Sequence, residues 1–307
     1  MRILEGWREL PEDAHGATVA LGNMDGVHPG HRAVLAAAHQ ARPELALAAL
    51  TFEPHPREHF RPDDPPFRLT LLPAKAAALE AAGTRLCYAL PFDAALAAMP
   101  AQAFFEQVLL HGLGARHIAC GPDFAFGHRR GGDLRFLRAA CEGAGIGLSV
   151  VPHLADAEGA ISSTRIRREL QGGYPERAAA LLGRPWSITG EVAHGDARGR
   201  LLGFPTANVP LGRHLEPARG VYAVRVRLAG GREVPGVANI GRRPTLGGDP
   251  VSRVEAHLFD FAGDLYGQSV EVALLHFIRE EKRFAGLAEL TAQIAADAAE
   301  ARRLLGA

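Results

Sequence analysis

Apolar residues follow two different rhythms along this chain. Up to about Gly183, short apolar runs alternate with helix-like stretches. Ala17–Leu21, Leu45–Phe52, Leu86–Leu90, His117–Cys120 and Gly147–Val151 read as strands. Arg32–Gln40, Pro73–Ala82, Gln102–Leu110 and Asp133–Glu142 read as helices between them. Strands alternating with helices predict βαβ units and a parallel sheet, hence an α/β domain. Ligands of such sheets gather beyond the carboxyl ends of the strands.

After Gly183 the pattern shortens to period two. In GVYAVRVRL (220–228), Tyr222, Val224, Val226 and Leu228 share one face, and Arg225 and Arg227 the other. SRVEAHLFDF (252–261) and QSVEVALLHFI (268–278) also suit strands, with turn signals LAGGRE and FAGD between these runs. Several strands with regular turns predict a small antiparallel barrel or sandwich. A final helix is expected over Leu287–Leu305. YPERAAALLGRPW (174–186) holds a short helix stopped at Gly183, with a proline just after. That places the domain boundary there and predicts domains 1–183 and 184–307.

The length of 307 residues agrees with two domains. Lysine plus arginine number 34, as do aspartate plus glutamate, so the net charge is zero. That argues against a protein that coats nucleic acid or binds anionic membrane. Cys87, Cys120 and Cys141 fit no CxxC metal spacing and make no disulfide framework, and they read as buried thiols. The N-terminus is charged, and the longest apolar run, around Leu45–Leu50, is far below the ~20 residues of a membrane span. A cytoplasmic protein is expected.

The stretch GNMDGVHPGH (22–31) lies between a predicted strand and a predicted helix. Glycines there allow a ligand close to the backbone, and the helix N-terminus favours phosphate. This makes Gly22, Asn23, Asp25, Gly26 and Gly30 candidate phosphate ligands. His28 and His31, three apart at a helix start, can face one way and hold a polyphosphate. Their H-x-G-H pattern is the signature of the nucleotidyltransferases that include class I aminoacyl-tRNA synthetases. The bland alternative is a pair of surface histidines beside a turn. In ISSTRIRREL (161–170), Ser162, Ser163 and Thr164 are good N-cap types, and Arg167 can grip phosphate with two N–H groups. A plain capped amphipathic helix explains the same residues. TFEPHP (51–56), carrying His55, and GPDFAFGHRRGGD (121–133) complete the loops expected at strand ends.

The second domain opens with GEVAHGDARGRLLGFPTANV (190–209). Gly195, Gly199 and Gly203 make a permissive loop, and Arg198 and Arg200 add charge. No GK[ST] follows, so it is not a Walker A loop. In the extended PTAN, Thr206 and Asn208 share a face and offer hard oxygens suited to Mg²⁺ bound with nucleotide phosphates. Glu255, flanked by Val254 and Ala256 in a strand, is a candidate general base. The alternatives are an ordinary Thr/Asn turn and a salt bridge to a nearby arginine.

Together, GNMDGVHPGH, TFEPHP, GPDFAFG and ISSTRIR resemble the FMN adenylyltransferase module of the bacterial bifunctional riboflavin kinase/FAD synthetase family. PTAN, GVYAV, GVANIGRRPTLGG and VEAHLFDFAGDLYG resemble the riboflavin kinase module of the same family. The resemblance runs from about Thr18 to Ala292. It implies a Rossmann-like nucleotidyltransferase domain followed by a riboflavin kinase-like barrel with a terminal helix. It implies catalytic roles for His28 and His31, and a flavin pocket at Asp123 and Phe126, with Phe60 and Phe104. It implies that Thr206 and Asn208 bind Mg²⁺ with ATP, and that Glu255 activates the riboflavin 5′-hydroxyl. ATP is then a substrate, and riboflavin, FMN and FAD are substrates and products. Met24 replaces a usual phenylalanine, GHRRGG departs from a loop closer to GKGRxG, and Arg242 and Phe259 depart from GTRPT and HLLDF. A one-activity adenylyltransferase and a non-catalytic flavin sensor are the competing readings. The sensor has no use for His28, His31, Asn208 and Glu255 together.

Overall fold

The inner strands of the first half are buried on both faces, which is why they read as continuous apolar runs. Val19, Leu21, Ala48, Leu50, Leu86, Tyr88, Leu90, Ile118 and Cys120 pack in one core with Phe104, Phe105, Val108 and Leu109. The intervening Ala20, Ala49, Cys87 and Ala119 pack in a second core with Leu35, Ala38 and Leu79. A computed structural model describes residues 1–194, 204–245 and 248–307, with backbone alone at 242–245 and 248–251. The chain forms two compact units: Met1–Asp64 with Leu72–Ser162, and Pro65–Leu71 with Ser163–Ala307.

The first unit holds β1 (Arg2–Glu5), β2 (Thr18–Leu21), β3 (Leu47–Glu53), β4 (Leu86–Pro91), β5 (His117–Cys120) and β6 (Gly147–Val150). They form one parallel sheet in the order β1-β4-β3-β2-β5-β6. From β2 the chain steps outward through β3 to β4, then returns to place β5 on the other side of β2. The carboxyl ends of β2 and β5 therefore flank the point where strand order reverses, the usual ligand crevice of such sheets. A small hairpin, β7 (Ala155–Asp156) and β8 (Gly159–Ala160), follows.

Two features escaped the sequence pattern. β1 is an edge strand paired only with β4, and its mostly exposed residues show no alternation. The helix expected over Gln102–Leu110 is α-helical only at Ala101–Ala103 and becomes a π-helix over Phe104–Gly112, ending in a Leu113 N–H bond to the Val108 carbonyl at 2.8 Å.

The second unit holds β9 (Trp186–Glu191), β10 (Ala207–Pro210), β11 (Gly220–Arg227), β12 (Glu233–Thr245), β13 (Gly248–Leu258) and β14 (Ser269–Glu280). The antiparallel order is β10-β13-β12-β11-β14-β9. Just beyond β9, Ala193 bridges to Asn208 of β10, with its N–H on the Asn208 carbonyl at 2.8 Å, so the sheet curls into a barrel. The two edges come so close that a Cβ at Gly190 would lie 2.8 Å from Val209 Cγ1.

Both faces of 220–228 are largely buried. Tyr222, Val224 and Val226 are buried, but so are Val221 and Ala223, because the helix Leu287–Leu305 covers them with Ala298, Ala301, Leu304 and Leu305. Only Arg225 and Arg227 of the opposite face reach solvent, and Leu228 is only partly buried. The helices Ser163–Gln171 and Pro175–Leu182 belong to this unit, as does Pro65–Leu71, where Trp186 donates its indole N–H to the Leu69 carbonyl at 2.8 Å.

All three cysteines are buried and none forms a disulfide. Burial pushes the Cys87 and Cys141 thiols up to about 11 and the Cys120 thiol up to about 12, so almost no thiolate exists at pH 8. We expect no fast-reacting thiol toward an aromatic disulfide reagent in the native protein, and full reaction after unfolding in guanidinium. A fast native thiol would contradict this burial.

Candidate functional site

Beyond β2 the chain turns sharply. Met24, Gly26 and Val27 all take positive φ, at 50°, 88° and 44°. A β-branched residue in that region is a true outlier, and such strain persists where surrounding contacts over-determine it. Met24 and Val27 are buried with the Leu35 side of the sheet, and the Val27 N–H bonds the Met24 carbonyl at 3.2 Å. Asp25 and Gly26 are buried within the same turn, and Gly22 and Asn23 are partly buried at its start.

The helix Pro29–Ala41 begins earlier than its sequence pattern indicated, so His28 is its N-cap residue and His31 lies in its first turn. Pro29 is at the first helical position, where no N–H is missed. The two imidazoles stack with centroids 3.7 Å apart and planes inclined by 24°. The sequence-predicted pair is therefore a single unit at a helix N-terminus. Gly30 allows this: a Cβ there would lie 3.0 Å from His28 Cε1 and 3.7 Å from the Ile161 carbonyl oxygen.

Gly22 and Asn23 also line a cavity of about 430 Å³ whose walls include six phenylalanines. Phe60, Phe104, Asp123 and Phe126, all candidates from the sequence, line it. Phe104 and Phe126 are buried at 3% and 6% exposure, whereas Phe60 is 63% exposed. Phe124 stacks on Phe126 with centroids 5.5 Å apart, and Asp123 pairs with His153 at 2.7 Å. Arg129 and Arg130, both at positive φ, also line the cavity, in the GHRRGG loop. Gly127 lets that loop press on the backbone, since a Cβ there would lie 2.6 Å from Ala101 Cα. His55 is an N-cap: its Nδ1 accepts from the Arg57 N–H at 3.1 Å.

Ser163, Thr164 and Arg167 lie in the second unit, where Ser163 opens the helix. Arg167 donates its Nε–H to the Phe67 carbonyl at 2.7 Å and stands 5.2 Å over the Phe67 ring.

In the barrel, strand register assembles the second site. Asn208 of β10 pairs with Glu255 of β13, and Glu255 pairs with Asn239 of β12. Directly paired residues share a sheet face, with Cβ atoms about 4.5–5.5 Å apart. Asn208 donates its amide to the Thr206 carbonyl at 3.3 Å, which leaves Oδ1 as the atom presented to a cation. His257, on the same face as Glu255, hydrogen-bonds through Nδ1 to the Pro205 carbonyl at 2.9 Å and steadies the entry to PTAN. Gly195, Gly199, Arg200 and Gly203 lie outside the described residues, as does Arg198.

A model of FAD synthetase matches residues 10–165, and a model of riboflavin kinase matches 182–305. The bifunctional riboflavin kinase/FMN adenylyltransferase of Escherichia coli K12 is 41% identical over 309 residues, covering 100% of this chain and 98% of that protein. The chain belongs to the bifunctional riboflavin kinase/FMN adenylyltransferase family. The Pseudomonas fluorescens member is 42% identical over 99% of the chain and 98% of its own length. The Bacillus subtilis member is 38% identical over 96% and 94%. A crystal structure of a macrolide-efflux protein from Streptococcus pneumoniae superposes with a TM-score of 0.85 at 31% identity, over 96% of this chain and 97% of the other. No helix among the described residues is long and apolar enough to cross a membrane.

The departures at Met24 and Phe259 are absorbed locally, whereas the Arg242 side chain lies outside the described residues. Met24 fills the buried turn, and Phe259 packs under the terminal helix with Arg302 4.3 Å over its ring. Phe52, Phe92 and Phe124, which also line the aromatic cavity, were missed from the sequence. Phe52 in TFEPHP and Phe124 in GPDFAF lie inside motifs already noticed, so aromatic spacing at strand ends was the available signal.

Proposed function

We propose that this protein makes FMN from riboflavin and ATP in residues 184–307, and FAD from FMN and ATP in residues 1–183. The family supports both activities, with its two models matched on one polypeptide. The observation that carries the reading is a pair of sites: stacked imidazoles after a turn whose Gly22 and Asn23 line a phenylalanine-rich cavity, and a carboxylate in register with Asn208.

In the first step the riboflavin 5′-hydroxyl loses its proton to Glu255 and attacks the γ-phosphorus of ATP. The bond to the β-phosphate oxygen breaks and ADP leaves. Thr206 and Asn208 would hold Mg²⁺ through two hard oxygens, and the ion would neutralise triphosphate charge. Transfer of this kind depends on alignment and charge neutralisation more than on covalent chemistry.

In the second step a phosphate oxygen of FMN attacks the α-phosphorus of another ATP, and pyrophosphate leaves. That phosphate is already a competent nucleophile, so no strong base is needed. His28, His31, the helix N-terminus and the backbone of Gly22–Gly26 stabilise the developing charge. Phe104, Phe124 and Phe126 supply flat apolar surface to the isoalloxazine ring.

Incubation with riboflavin, Mg²⁺ and ATP, followed by chromatography of the flavins, tests the reading. FMN appearing first and FAD later is expected, with neither formed when EDTA removes the metal. FMN without FAD reduces the protein to a kinase, and neither flavin makes it a binder.

A further inference from the structure

One buried cation outside both sites has no role in the chemistry above. Lys75, in the helix Leu72–Ala81, is fully buried. It donates to Thr51 Oγ1 at 2.9 Å and to Glu53 Oε1 at 2.9 Å, both on β3. Thr51 Oγ1 in turn bonds the Asn23 carbonyl at 2.9 Å. A charged buried lysine costs much solvation, and its retention calls for a return beyond packing.

The hydrogen-bond directions follow from chemistry. An ammonium has donors and no acceptor, so the Thr51 oxygen must accept from Lys75. Its single proton is then committed to Asn23. The Gly22 N–H bonds the Leu50 carbonyl at 3.3 Å, so β3 grips the turn at two successive residues just before the positive-φ run from Met24 to Val27. A strained turn holds its shape only while its neighbours over-determine it.

We propose that the Lys75–Thr51 pair is the positioning device of the adenylyltransferase site, locking the Asn23 carbonyl and through it the turn that carries His28. Lys75 touches no reacting atom. It fixes the hydroxyl's proton direction, and Glu53 keeps the ammonium aimed. The inference rests on the adenylyltransferase reading.

The test compares Thr51→Val, which keeps the shape and loses the hydroxyl, with Thr51→Ser, which keeps the hydroxyl. Each is assayed as full chain for FAD formation from FMN, for FMN formation from riboflavin, and for Tm. Thr51→Val is expected to lower kcat for FAD formation by about 10–100-fold with KM for FMN little changed, because misplacement of about 1 Å costs that much. Thr51→Ser should recover most of the rate, and riboflavin phosphorylation should be unaffected in both. Should Thr51→Val not fold, Thr51→Cys takes its place with the same expectation, since a thiol donates only weakly. The proposal is overturned if the hydroxyl-less variant matches wild type, if serine fails to rescue, or if both activities fall together with Tm. Wild-type protein that makes no FAD overturns the adenylyltransferase reading as well, whereas an active wild type with an equally active Thr51→Val sinks this inference alone.

Discussion

Replacing His28 with alanine is expected to lower FAD formation from FMN by about 10²–10³-fold and to leave FMN formation from riboflavin intact. The figure corresponds to about 2.7–4 kcal/mol for one preorganised donor to a developing oxyanion. His28 sits at the helix N-cap, yet its side chain makes no capping hydrogen bond there, unlike Asp93 and Asp133 in their helices. What it does hold is the stack with His31 above the missing Cβ of Gly30. His28 is buried, so Tm is the control for folding. Chromatography of flavins from riboflavin plus Mg²⁺-ATP should show FMN accumulating. Loss of FMN formation as well, in a folded protein, would break the division of labour between the two modules.

Glu255→Gln is the mirror image. The amide keeps the size and the register with Asn208 and Asn239 but cannot accept the hydroxyl proton. Removing a positioned general base typically costs about 10²–10⁴-fold. Riboflavin phosphorylation should fall by that factor, while supplied FMN should still be converted to FAD at the wild-type rate. A rate of phosphorylation within threefold of wild type would show that Glu255 is a spectator, held in its strand by an ion pair.

Several of these residues were legible before any fold was known. The stacked histidines were visible because helix geometry brings residues three apart onto one side, and the strand before them marks which end of the helix they occupy. Thr206 and Asn208 were visible for the analogous reason in an extended segment. Glu255 stood out as a charge between two apolar neighbours. The cavity was only half legible. Phe104 and Phe126 come from a π-helix and a loop, Phe52 from the end of β3 and Phe92 from just beyond β4, and no local period links them. The Lys75–Thr51–Asn23 chain was not legible at all. A lysine in an alanine-rich helix reads as a solvent-facing charge, and only burial reveals otherwise.

The linear order of residues, by its periodicities alone, determined that a parallel α/β unit precedes an antiparallel one, and which loops are candidates for phosphate binding. These are short-range matters, settled within a turn of helix or a few residues of strand. Tertiary structure decided the rest. It chose the strand order that puts the end of β5 beside the end of β2, and it set Glu255 opposite Asn208 across a ladder. It also buried both faces of β11 and turned Lys75 inward. Each of these depends on pairing or packing between segments far apart in sequence, where the energy comes from surfaces that meet only after the chain has closed on itself.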